Sequence, residues 1–177
     1  MKYWLLVCLL FGTIPPAQAE PGVEIQYKYY WIYPNNKQDL GKELDRQSPI
    51  IFKGKKYRGY TQWRVNWNYR WWETANSCKI TTVKTTLNVT YTLPKIPDNH
   101  PVNTQTRQAF NRYFQALFNH EKNHKQSGLL AAREIEKMLL NLPSFPSCSQ
   151  LETTATQRGN TLIQKYRQRD IEYDRLT

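Results

Sequence analysis

Hydrophobic and polar residues alternate along Val23, Ile25, Tyr27, Tyr29, Trp31 and Tyr33, up to Pro34. A period of two predicts a strand. Asn35-Asn36 supplies turn chemistry. The spacing of Leu40 and Leu44 then predicts a short helix over 39–47, closed by Ser48-Pro49. Residues 53–60 are basic and punctuated by glycine, which suits a loop or hairpin.

The clearest alternation follows, with Trp63, Val65, Trp67, Tyr69 and Trp71 on one face and Arg64, Asn66, Asn68 and Arg70 on the other. It predicts an antiparallel strand that covers a core on one side. Such an aromatic row also suits carbohydrate stacking, although core packing is its commoner use. Trp72 falls on the opposite face and is the aromatic expected at the surface. After a turn over 74–77, Val83, Thr85, Leu87, Val89, Tyr91 and Leu93 predict another strand, ended by Pro94 and Pro97.

From 104 to 142 the period lengthens to that of a helix, with Gly128 as its weak point. Pro143 and Pro146 bracket a bend that carries Cys148. A second helix over about 150–171 follows, its inward stripe running through Leu151, Ala155, Leu162, Tyr166 and Tyr173. The short connection makes the two helices antiparallel neighbours. The expected fold is α+β: an antiparallel sheet from the N-terminal half, packed with a long helix and a C-terminal antiparallel helix.

The long helix carries the chemistry. Its apolar stripe runs through Phe110, Leu117 and Gly128 to Ile135 and Leu142, and His120-Glu121-Lys122-Asn123-His124 lies on that stripe. In an H-E-x-x-H helix the two histidines share a face one turn apart, where both imidazoles can grip one zinc ion. Glu121, one step round, suits a general base that takes a proton from water while the metal polarises a carbonyl. Two surface histidines beside a solvated glutamate share this spelling. Against that, the chain has 3 histidines and two are in the motif, on the face turned inward.

The N-terminus adds a compartment. Met1-Lys2, an apolar run from Tyr3 to Ile14 and Ala17-Gln18-Ala19 read as a secretory signal peptide cleaved after Ala19, which leaves 20–177 as one domain. In the oxidising space beyond, periplasmic or secreted, Cys78 and Cys148 are expected to pair. The mature chain holds no run long and apolar enough for a transmembrane span. A formal charge of +11 is compatible with an anionic envelope surface, but the cations are scattered and no nucleic-acid-binding signature is present.

Several of these marks occur together: Trp63-x-Val65-x-Trp67-x-Tyr69, Cys78, Leu93-Pro94, His120-Glu121-x-x-His124, Cys148, and Tyr173-Asp174-x-x-Thr177. In this combination the chain resembles a family of bacterial secreted proteins, catalogued as a domain of unknown function and described as predicted zinc-dependent proteases. The resemblance covers almost the whole mature chain. It implies a metallopeptidase-like α+β domain with His120 and His124 on zinc, Glu121 as catalytic acid/base and a protein or peptide substrate. In the family one further residue and His-Gly follow the Tyr-Asp-x-x-Thr element, whereas the sequence here stops at Thr177, which bears on catalytic competence.

Catalytic zinc ordinarily takes a third protein ligand. Ser127 and Leu130 stand where the extended motif needs glycine and histidine. Glu134 and Glu136 lie too far along the same helix, and Glu152 starts the second helix at the remote end. The end of that helix returns to the histidines and makes Tyr166, Asp170, Tyr173 and Asp174 candidates. Asp174 is the expected third ligand, or else the acceptor for a ligand imidazole. Tyr173 is the expected oxyanion donor. The competing expectation is a non-catalytic envelope protein that binds metal, glycan or an anionic polymer.

Overall fold

A computed structural model describes residues 20–52 and 54–177. The expected signal peptide lies outside the described residues. Eight elements follow in chain order: β1 (Gly22–Trp31), α1 (Leu40–Gln47), β2 (Ile50–Phe52), β3 (Lys55–Tyr57), β4 (Tyr60–Thr74), β5 (Ser77–Lys95), α2 (Thr104–Leu140) and α3 (Cys148–Leu176). The expected α+β architecture is present, and the 53–60 region includes the second strand of the β2–β3 hairpin.

The main sheet has the order β1-β5-β4. β4 and β5 form a long antiparallel hairpin, interrupted by a register shift between Arg70 and Trp71. β1 joins the other side of β5 in parallel, with Tyr27 opposite Tyr91. This parallel pair was not legible in the alternation, which fixes faces and not partners.

Alternation decides which side chains reach the core. Trp63 and Val65 of β4 and Leu87, Val89, Tyr91 and Leu93 of β5 are buried beneath α2. Each fully buried leucine here contributes about 2 kcal/mol by leaving water. Trp67 and Tyr69 are half-buried, so the aromatic row of β4 is core at one end and surface at the other. Trp72 is exposed, as expected. On β1, Val23, Ile25, Tyr27, Tyr29 and Trp31 remain exposed, because α2 packs over β4 and β5 and leaves the β1 flank open.

α2 starts at Asn103, whose side chain accepts from the Thr106 N–H at 2.8 Å. Its 37 residues give it a length of about 55 Å. Gly128 does not interrupt it. A Cβ there would sit 2.8 Å from Leu87 Cδ1 and 3.1 Å from the Trp63 ring, so glycine is what lets the helix settle on the sheet.

Cys78 and Cys148 are joined in a disulfide, which ties the start of β5 to the start of α3. Beside it Cys78 exchanges both backbone hydrogen bonds with Phe145. α3 extends to Leu176, five residues beyond the expected end, and so carries Tyr173 and Asp174 within the helix. A smaller core of Tyr30, Ile32, Leu40, Leu44, Ile96 and Phe110 fastens α1 to the N-terminal end of α2.

Candidate metal centre

α3 runs back along α2. Tyr166 reaches Glu134, Asp170 reaches His124, and Thr177 reaches His120. His120 and His124 project from successive turns of α2, with their Nε2 atoms 3.2 Å apart. Asp174 Oδ1, arriving from α3, lies 3.1 Å from His120 Nε2 and 3.0 Å from His124 Nε2. His120, His124 and Asp174 are the one group of His, Cys, Asp and Glu side chains among the described residues that converges tightly enough to hold an ion.

The neighbours of these rings decide where their protons sit. The Thr177 hydroxyl donates to the Tyr173 carbonyl at 2.9 Å and in that orientation presents its lone pairs to His120 Nδ1 at 3.2 Å. A proton on His120 Nδ1 serves that hydroxyl and bares Nε2. His124 Nδ1 faces Asp170 Oδ1 at 3.3 Å. That buried oxygen has no aligned hydrogen-bond partner among the described residues, while Asp170 Oδ2 accepts from Trp63 Nε1 at 2.6 Å. A proton on His124 Nδ1 serves the orphaned oxygen and bares its Nε2 too.

Three lone-pair atoms thus meet with no proton assigned between them, an arrangement that only positive charge makes favourable. Ligand atoms held at ~2.0–2.1 Å by tetrahedral zinc stand about 3.3 Å apart. The three separations here are close to that, so the donor set fits the metal. Burial works to depress the His124 imidazole, but the carboxylates of Asp170, Asp174 and Glu121 outweigh it and hold the ring above its ordinary value. The site favours a cation at this place, whether a proton or a metal.

Glu121 is 3 % exposed and faces the sheet. Its Oε2 accepts from the Thr61 hydroxyl of β4 at 2.5 Å. Gly59, just before β4, passes so close that a Cβ there would lie 2.6 Å from Glu121 Oε1. Burial pushes the carboxyl above its ordinary range, against the Thr61 hydrogen bond and the pull of His124 and His120.

Tyr173 stacks on His120, ring centroids 4.8 Å apart, and meets His124 edge-on at 5.5 Å. Its hydroxyl accepts from Asn123 Nδ2 at 2.8 Å. Of the residues expected at the end of the second helix, Asp170, Tyr173 and Asp174 do reach the histidines. Tyr166 does not, since its hydroxyl bonds Glu134. Thr61 and Asn123 join the site without any sign in the motif, because strand-to-helix and helix-to-helix contacts leave no local spacing to read.

Residues 27–177 match a family described as "Bacterial protein of unknown function (DUF922)". No curated protein matches the chain, and no solved structure does.

Proposed function

The chain belongs to the DUF922 family of bacterial proteins, and we propose that it is a zinc-dependent peptidase of the periplasm or the extracellular space. One observation carries this: two imidazole nitrogens, each on a ring whose other nitrogen faces an oxygen, converge on a carboxylate oxygen beside a buried glutamate. His120, His124 and Asp174 would hold the zinc. When bound, it would polarise the scissile carbonyl and make water a stronger acid.

The chain's own groups supply the rest. Glu121 takes the proton from the attacking water and returns it to the leaving amine, a role for which a carboxyl raised by burial is suited. Thr61 and Gly59 fix the rotamer of that carboxyl from the sheet side. Asp170 and Thr177 hold the imidazoles in the required tautomer. Tyr173, whose hydroxyl oxygen accepts from Asn123 and whose O–H is not used in that contact, donates to the developing oxyanion. The Cys78–Cys148 disulfide supports an oxidising compartment.

The test begins with metal analysis of the purified protein. One zinc per chain is expected, and it should be lost in His124→Ala. Glu121→Gln should keep the zinc and lower kcat on an unstructured protein substrate by about 100-fold or more. A Glu121→Gln protein as active as wild type would remove Glu121 from catalysis. Stoichiometric iron would instead point to oxygen chemistry, which the same two-histidine, one-carboxylate set supports.

A further inference from the structure

β4 is the last strand of its sheet, and among the described residues nothing pairs with its outer edge. Between that edge and α3 lies a cleft of about 180 Å³. Trp63 and Trp67 line it from β4, and Asn160 and Ile163 from α3. Arg64 and Arg167 bring the only charges in the lining, and both are positive. Both are exposed, and neither has an ion pair among the described residues.

The cleft leads to the metal centre along both of its walls. Asn160, Ile163, Arg167, Asp170 and Asp174 follow one another at intervals of three and four residues, so they share one face of α3. From Arg167 to Asp174 that face runs about 10 Å. On β4, Trp63 stands two residues from Thr61, the partner of Glu121, on the same buried face and about 7 Å along the strand, while Arg64 lines the cleft from the opposite face. Trp63 belongs to both places, since it lines the cleft and donates to Asp170, the neighbour of His124.

We propose that this cleft is a subsite for an acidic side chain of an extended peptide, bound about three residues away from the bond that is cut. The proposal rests on the peptidase reading and adds the substrate class to it. An extended chain can pair its backbone with the unpartnered edge of β4. The unpaired guanidinium groups then select a carboxylate over an ammonium group. The excess of cations over the whole chain draws the same class of substrate toward the surface.

Binding tests this without relying on turnover. The full Glu121→Gln protein, loaded with zinc, is titrated with fluorescein-labelled alanine-rich peptides that carry one Glu or one Lys at each position in turn. The best Glu peptide should bind about ten-fold more tightly than its Lys counterpart. Arg167→Glu should erase that advantage, and Arg64→Glu with Arg167→Glu should reverse it. Equal binding of the two peptides, or an advantage that survives both charge reversals, would overturn the subsite. Acidic peptides that bind as described, with no cleavage by the wild-type protein, would leave the subsite standing and bring down the hydrolytic reading instead.

Discussion

Asp170 connects the sheet to the candidate metal centre through its two carboxylate oxygens. One is held by the Trp63 indole N–H, and the other faces His124 Nδ1. The first contact fixes the carboxylate, so the second can fix the imidazole. Replacing such an outer partner of a metal-binding histidine ordinarily costs about 10–100-fold in metal affinity. Asp170→Asn should therefore weaken zinc binding by a factor in this range, measured by competition with a chromophoric chelator. An unchanged affinity would mean that packing alone orients His124. At this scale His120, Glu121 and His124 were legible because a helix converts a spacing of four into one face. Asp174 was legible because an antiparallel helix must bring its end back. Thr61 and Asn123 were not, since their contacts join elements far apart in sequence or side chains with no motif of their own.

At the scale of elements, α1 shows how much can rest on one buried acid. Glu43 is 2 % exposed and accepts from Arg46, from Gln47 and from the N–H of Tyr33, two residues past β1. Burial alone would raise its carboxyl, but those three donors outweigh it and hold the group below its ordinary range. A carboxyl with a depressed value in the folded state adds stability at pH above its unfolded value of about 4.3. The contribution fades as pH falls through the folded value. Melting curves should therefore show wild type well above Glu43→Gln at pH 7, with the gap closing below about pH 4. A gap that is the same at every pH would assign the loss to packing. The helix itself was legible from Leu40 and Leu44, while its buried glutamate was not, because a solvated acid has the same place in the pattern. β1 taught the converse lesson: its alternation predicted the strand correctly, yet its aromatic row is exposed. Which strands a helix covers is decided by where α2 lies, and no strand records that locally.

Over the whole molecule, the site depends on how α3 is held at its two ends. At its start, the Cys78–Cys148 bond and the paired backbone of Cys78 and Phe145 fasten it to β5. At its far end, Asp170, Asp174 and Thr177 meet the histidines of α2. Between them Leu151 and Ala155 are fully buried and Tyr166 bonds Glu134, so α3 acts as a rod anchored at one end and bringing the candidate ligand Asp174 to the histidines at the other. The crosslink closes a loop with a sequence separation of 70, and in the chain-entropy treatment a loop of that length stabilises by about 4 kcal/mol. Cys78→Ala with Cys148→Ala should lose stability of that order in urea titrations with zinc removed. The double variant should also bind zinc more weakly, because ordering the end of α3 then falls to the metal itself. Added zinc should in turn recover part of the lost melting temperature. If the variant binds zinc as tightly as wild type, α2 alone positions the end of α3, and the disulfide serves the stability of the sheet end without serving the site.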